Sequence, residues 1–425
     1  MLDLGRYPLA DLAARVGTPF YFYDGDMLRA SASRFADVVG GPATAGRYAM
    51  KANSLSKVLE GMRTAGMWID AVSGNEVLRA RRAGFSGGAE PPVILLTSDV
   101  FRDNALETVL HERVTPNVGS PGMLGQLREA GYKGPIAVRV NPGFGQGHVD
   151  ACDTGGPSSK HGIWPDRLGD VRRDAARAGL TIALLHAHVG TGPELTEFDT
   201  NVRRLVEFFN TLIPDFPDVR AVSLGGGIPH PYHPGGVPYK LGSLRALLKS
   251  GIASLSARAG RPIRVEVEPG RFLVAGCAAL VARVTDIKET RANARGPGHT
   301  FVMVDAGFCD LLRPAFYGSY HHIEVLGTRA ARDPESCVVA GPLCESGDVF
   351  TRGEQELLEP RLLPRPDPGD LIALQDAGAY GAAMSSNYLS IGRAAEVWWE
   401  KGRATLVARR ETLDDVVQVE CDVPL

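Results

Sequence analysis

Short runs of strand-forming residues, each ending in a polar or glycine cluster, recur through the first two-thirds of the chain. They are Tyr48–Lys51, Trp68–Ser73, Val93–Ser98, Val114–Ser120, Ile136–Pro142, Ile182–Gly190, Ala221–Gly227 and Arg264–Gly270. Between them Ser56–Ala65, Asn75–Ala83, Arg102–Glu112 and Phe198–Asn210 place apolar residues at helical spacing. Strands alternating with helices imply parallel βαβ units. An open doubly wound sheet shares this alternation, but eight units match a (β/α)8 barrel, which takes about 250 residues.

Beyond Cys277 the texture changes. Ala278–Thr285, Thr300–Ala306, Val338–Ala340, Leu371–Gln375 and Val397–Arg410 read as strands between Gly/Pro-rich turns, with little helix. The pattern predicts a TIM-type (β/α)8 barrel over 31–276 and a β-rich, Greek-key-like barrel or sandwich over 277–425. An N-terminal segment, 1–30, carries a strand at Phe20–Tyr23 that is expected to pair with the β domain. Loops Gly143–Ser159 and Pro229–Pro238 are expected to be mobile.

Composition narrows the classes. A hydrophobic fraction of 44% suits a globular protein with a large core. A formal net charge of −3 offers no basic field for a nucleic-acid backbone. No apolar run approaches the roughly 20 residues of a membrane span, and Met1–Ala10 does not read as a signal peptide. The six cysteines (Cys152, Cys277, Cys309, Cys337, Cys344, Cys421) lack CxxC or CxxH spacing. They predict no zinc site and no disulfide framework, and fit a reducing cytoplasm.

The candidate chemistry gathers at predicted strand ends. Lys51, in Tyr48-Ala49-Met50-Lys51-Ala52-Asn53-Ser54, ends the first barrel strand on the side where barrel active sites lie. A partly desolvated amine there can attack an aldehyde and form a Schiff base, although a surface lysine fits the segment equally. Leu224-Gly225-Gly226-Gly227 ends the seventh strand, where bare backbone N–H groups can approach a phosphate or simply turn the chain. Glu268-Pro269-Gly270-Arg271 ends the eighth and offers a carboxylate for a pyridine nitrogen and an arginine for a substrate carboxylate, or a structural ion pair. His186 and His188 alternate along the sixth strand, so they are expected on one face. Asp70 is expected to orient such a histidine or to bond backbone. In the β domain Arg313–His322, Cys344–Asp348 and Ala377–Gly381 are polar loops after predicted strands.

Together these segments resemble the fold-type III pyridoxal-phosphate decarboxylases. The resemblance runs from about Phe20 to Glu411. It includes the Lys51 segment, Arg139-Val140-Asn141-Pro142-Gly143-Phe144, Thr154–Ile163, His188-Val189-Gly190-Thr191-Gly192, Gly225-Gly226-Gly227 and Glu268–Phe272, as well as the three β-domain clusters. It implies pyridoxal 5′-phosphate on Lys51 and a barrel site that uses Asp70, His188 as the ring-stacking histidine, Gly226, Gly227, Glu268 as the pyridinium partner, Gly270 and Arg271. It implies a substrate grip of Arg271, Arg313, Tyr317 and Glu345, with Tyr380 touching both cofactor and substrate and Cys344 donating a proton. It also implies a homodimer in which the Cys344–Asp348 loop serves the neighbouring subunit. The branch it is most similar to decarboxylates meso-2,6-diaminopimelate to L-lysine.

Rival readings are a relative acting on a siderophore or antibiotic precursor, a carrier-bound or a D-basic amino acid, an amino-acid racemase, and a non-catalytic cofactor carrier. The racemase would need no arginine–glutamate grip, and the carrier would leave the β-domain clusters idle. Leu55 and Leu389-Ser390-Ile391-Gly392-Arg393 depart from the family pattern, and both bear on the substrate more than on the chemistry.

Overall fold

A computed structural model describes residues 1–425 apart from 146–153, 191–194, 295, 328–331, 354–356 and 424–425. The chain divides into a sheet unit (Met1–Leu28, Pro231–Val237, Val274–Leu425) and a barrel unit (Arg29–His230, Pro238–Leu273). The first strand, β1 (Phe20–Asp24), belongs to the sheet unit.

The barrel unit closes on eight parallel strands, taken up in chain order. These are β2 (Thr44–Ala49), β3 (Trp68–Ala71), β4 (Ile94–Ser98), β5 (Thr115–Val118), β6 (Pro135–Arg139), β7 (Thr181–His186), β8 (Ala221–Ser223) and β9 (Arg264–Val267). Closure is made by β2 against β9, with Thr44 opposite Val265 and Gly46 opposite Val267. Arg47 secures this seam: its Nε donates to Glu266 Oε2 at 2.6 Å, with both side chains fully buried. Other guanidinium N–H groups bond the carbonyls of Pro92 and Val93, so the buried charge has the partners that make such a pair tolerable. Leu95, Ala137, Leu184 and Ala221 fill the barrel as an apolar layer.

All eight predicted barrel strands are present, but most stop short of the predicted end. The ladder of β8 ends at Ser223 because Gly225 and Gly227 take φ of +68° and +93°, which no strand can hold. Two expectations are corrected by this. Lys51 lies in a 3₁₀ turn, Met50–Ala52, just beyond β2, and His188 lies two residues past the end of β7.

The long connection after β6 is held at both legs. Asn141 Oδ1 accepts from Gly143 and Gly156 N–H, while its Nδ2 donates to the carbonyls of Gly156 and His161. His161 Nδ1 then meets Asp99 Oδ2 at 2.6 Å. The centre of the loop expected to be mobile, 146–153 with Cys152, lies outside the described residues, as does Thr191-Gly192.

In the sheet unit the remaining strands are β10 (Ala278–Glu289), β11 (Thr300–Val304), β12 (Ile323–Val325), β13 (Pro334–Ala340), β14 (Arg361–Pro364), β15 (Leu371–Leu374), β16 (Ala395–Glu400) and β17 (Arg403–Ala408). The sheet is mixed and runs β14-β13-β11-β10-β1-β16-β17, with β15 joining β10 to β12. β1 takes a central place, antiparallel to β10 and parallel to β16. Its run Phe20-Tyr21-Phe22-Tyr23 has no alternation because both faces are covered, and all four residues are buried. Phe20 and Phe22 join the apolar core with Leu12, Val281 and Val397. On the other face the Tyr21 hydroxyl donates to the Asp310 carbonyl at 2.5 Å.

One expectation differs here. Val397–Arg410 is a hairpin, β16–β17, because Lys401 and Gly402 both take positive φ, the two-residue turn that matches strand twist. The loop expected to be mobile, Pro229–Pro238, is exposed over 233–238. There His233 stacks on Tyr320 with ring centres 3.9 Å apart.

Candidate active site

The barrel candidates converge on the C-terminal ends of the strands. The turn Met50–Ala52 closes with a hydrogen bond from Asn53 N–H to the Met50 carbonyl. Tyr48 Oη donates to the Asn53 carbonyl at 2.8 Å, and Asn53 Oδ1 accepts from Leu55 N–H. Met50, Ala52 and Asn53 are buried, whereas Lys51 is exposed, so the turn releases its one amine. That amine is near enough to act electrostatically on Asp70 and His188.

Glu268 lies just past β9 and is buried. Ser223 Oγ, at the end of β8, donates to its Oε1 at 2.7 Å, and His186 Nε2, at the end of β7, lies 2.9 Å from its Oε2. Burial alone raises a carboxyl pKa, but the charge and hydrogen bond of His186 with the Ser223 bond overcome it and hold Glu268 down at about 2. It is therefore an anion at neutral pH. Asp70, on β3, shows the opposite balance. Burial first and then the neighbouring Glu268 charge lift it to about 6, although Lys51 and a 2.5 Å hydrogen bond from Thr97 Oγ1 oppose them. Among the described residues the Asp70 carboxylate thus bonds Thr97 rather than a histidine or backbone. Glu268 and Asp70 have environments that push them apart, a pattern common at reactive sites.

His188 is held well below the usual imidazole range, by burial first and then by the positive charges of Lys51 and Arg139. Its neutral Nδ1 accepts the Gly226 N–H at 3.3 Å. The three glycines that follow are required by space as well as conformation. A Cβ on Gly226 would lie 2.5 Å from the Glu268 carbonyl oxygen, and one on Gly227 would lie 2.3 Å from that of Gly190. Their backbone is half-exposed, and a small pocket beside Gly226 and Gly227 is lined by Gly190, Phe198 and Asn201. Gly270 passes close to Ala49 and Ala52, which brings the Arg271 turn against the Lys51 turn.

The sheet unit carries the other candidates. Arg313 opens the short helix Arg313–Tyr317 and is buried, while Tyr317 at its end is half-buried. Cys344 and Glu345 are exposed on a loop organised by Asp348. The buried Asp348 carboxylate accepts Phe308 N–H at 2.7 Å and Leu343 N–H at 2.8 Å, so the loop turns around it and points its middle outward. Burial raises the Asp348 pKa. Tyr380 is half-buried and takes φ of +58°, an uncommon conformation for a residue with a side chain.

Sequence reasoning missed the supporting residues. His186 was visible in the alternation with His188, but its bond to Glu268 spans 82 positions. Ser223 and Thr97 gave no local signal beyond their place near strand ends, and Arg139 entered only as part of the segment Arg139–Phe144. Among the described residues no cluster could hold a metal ion, and no helix is long and apolar enough to cross a membrane.

The barrel unit therefore brings together an exposed amine, a bare glycine cradle, an ionised carboxylate and a neutral imidazole. Comparison with known proteins gives the family. Residues 26–275 match the family model described as pyridoxal-dependent decarboxylase, pyridoxal binding domain. The chain is 40% identical over 419 residues to a diaminopimelate decarboxylase of Streptomyces coelicolor, covering 97% of this chain and 92% of that one. With the diaminopimelate decarboxylase of Escherichia coli K12 it shares 39% over 428 residues, 98% and 97% of the two chains. A crystal structure of a diaminopimelate decarboxylase superposes with a TM-score of 0.88 at 37% identity, covering 97% of this chain and 95% of that one. The Helicobacter pylori enzyme complexed with L-lysine gives 0.82 at 27% identity, with coverage of 97% and 98%.

Proposed function

Because the chain belongs to the pyridoxal-dependent decarboxylase family, we propose that it decarboxylates meso-2,6-diaminopimelate to L-lysine and CO2, using pyridoxal 5′-phosphate held by Lys51. The observation that carries this reading is the ionised, doubly hydrogen-bonded Glu268 in the same barrel mouth as the released Lys51. The residues present fit the cofactor: the cradle at Gly226 and Gly227 is open where any Cβ would fill it, and the amine needed for a Schiff base is exposed. When bound, the cofactor supplies an electron sink for the pair left by the departing carboxylate.

The chain's own groups do the rest. Glu268, as an anion, would hold a proton on the pyridine nitrogen of the bound cofactor. His188 would serve as its ring-stacking partner, and a neutral imidazole adds no charge there. Backbone N–H groups at Gly226, Gly227 and the Gly270–Arg271 turn would hold its phosphate, and Asp70 would line the site with Lys51. Arg271, Arg313 and Tyr317 grip substrate carboxylate, Glu345 takes the distal ammonium, and Tyr380 borders both cofactor and substrate. Holding that far end is what separates diaminopimelate from lysine or ornithine, since unpaired site charges would penalise the shorter acids. Cys344 Sγ delivers the proton to the carbon that loses CO2.

We also infer that the outward-pointing loop of Cys344 and Glu345 serves the neighbouring subunit of a homodimer, and that the enzyme works in the cytoplasm. The deciding measurement is CO2 release from meso-diaminopimelate beside lysine, ornithine and citryl-type acids. Turnover of another acid without turnover of diaminopimelate would sink the substrate reading.

A further inference from the structure

In the cluster Arg313-Pro314-Ala315-Phe316-Tyr317-Gly318-Ser319-Tyr320-His321-His322 the proposed mechanism uses Arg313 and Tyr317 but not His321, whose hydrogen bonds define its tautomer. His321 is buried within the sheet unit. Its Nδ1 lies 2.8 Å from the backbone carbonyl oxygen of Gln375 and its Nε2 lies 2.8 Å from Arg313 Nη1. A carbonyl can only accept, so Nδ1 must carry the hydrogen. A guanidinium can only donate, so Nε2 must offer its lone pair. The two contacts select one neutral tautomer, and in it His321 is an acceptor for Arg313.

Arg313 is oriented from two further directions. Its Nη2 donates to Ser319 Oγ at 3.2 Å, and its guanidinium carbon lies 4.8 Å from the centre of the Tyr232 ring. Tyr232 in turn meets the His321 ring edge-on at 5.5 Å. A planar fork binds a carboxylate well only when its plane is set in advance, because a free arginine must lose its rotamer freedom on binding. Gln375, which carries the carbonyl, sits just past β15, so His321 transmits the rigidity of that strand to the arginine.

We propose that His321 is a positioning residue for substrate recognition: it presets the Arg313 guanidinium for the substrate's carboxylate. This rests on the reading that Arg313 grips that carboxylate.

Two amide replacements separate the two nitrogens of the ring. His321→Asn keeps a donor at the δ position for the Gln375 carbonyl but has no acceptor at the ε position. His321→Gln carries an acceptor where Nε2 stood. The holoenzymes are compared by KM and kcat with meso-diaminopimelate, by L-lysine binding in calorimetry, and by the cofactor absorption band. His321→Asn is expected to raise KM and the L-lysine Kd about tenfold, with kcat changed far less and the band intact. His321→Gln is expected to remain within about threefold of wild type. Equal behaviour of the two variants overturns the proposal, and so does loss of the band in both, which would make His321 part of the folding core. Arg313→Ala is the control. If it leaves L-lysine binding unchanged, the gripping role of Arg313 fails; if it weakens binding while His321→Asn does not, only the role of His321 fails.

Discussion

His186 Nε2 sits 2.9 Å from Glu268 Oε2, with both side chains almost wholly removed from water. The bond joins the ends of β7 and β9, and Ser223 on the intervening β8 completes it. Glu268 keeps its charge in a buried place because these donors favour the ionised form. Replacing His186 by Phe removes one of them and lets the Glu268 pKa rise. The expected result is a lower kcat and an acid limb that moves to higher pH, read from the pH–rate profile. An unchanged acid limb would show that His186 does not govern Glu268.

Lys51→Ala is expected to abolish the near-visible absorption band of the loaded protein and CO2 release with it. The exposed position of Lys51 predicts little change in stability. A variant that retained the band would place the Schiff base elsewhere.

Gly227 combines φ of +93° with a Cβ position 2.3 Å from the Gly190 carbonyl oxygen. Gly227→Ala must therefore shift the cradle, at a strain of about 1–3 kcal/mol. The Kd for pyridoxal phosphate, followed by fluorescence titration, is expected to rise about tenfold or more. Unaltered affinity would remove this glycine from the cofactor's surroundings.

Asp70 is raised to about 6 by burial and by Glu268, so the folded protein binds a proton there that the unfolded chain has released by about pH 4. Stability from this group is full at low pH and is lost as pH rises through about 6, a difference of about 3 kcal/mol. Glu268 acts in the opposite sense, losing its contribution as pH falls from its unfolded value toward about 2. Asp70→Asn should therefore stabilise the cofactor-free protein at pH 8 more than at pH 5. Urea melts at the two pH values check this, and equal gains would contradict it.

Asp348→Ala leaves the buried Leu343 N–H without its acceptor, at about 1–3 kcal/mol, and removes the partner of the part-buried Phe308 N–H. The loop bearing Cys344 and Glu345 is then expected to lose its shape. Decarboxylation should fall steeply while the absorption band of the barrel persists. Full activity would mean that the loop holds itself without the carboxylate.

What the residues could specify alone is what repeats or stands out locally. Alternating runs of strand and helix implied eight βα units, and Phe20-Tyr21-Phe22-Tyr23 implied a strand paired with the β domain. Reactive types at predicted strand ends, Lys51, Gly225–Gly227 and Glu268, supplied the candidates for the chemistry. What only the tertiary structure decided depends on partners far apart in the chain. The end of β8 was overestimated because the left-handed φ of Gly225 and Gly227, invisible in hydrophobic pattern, stops the ladder. Val397–Arg410 read as one strand because Lys401 does not announce a turn, yet it takes positive φ beside Gly402. Asp70 met Thr97, His186 met Glu268, and His321 met both Arg313 and Gln375 only once the chain had closed. Periodicity is a property of neighbours, whereas a pKa or a tautomer is set by whatever folding brings within hydrogen-bond reach.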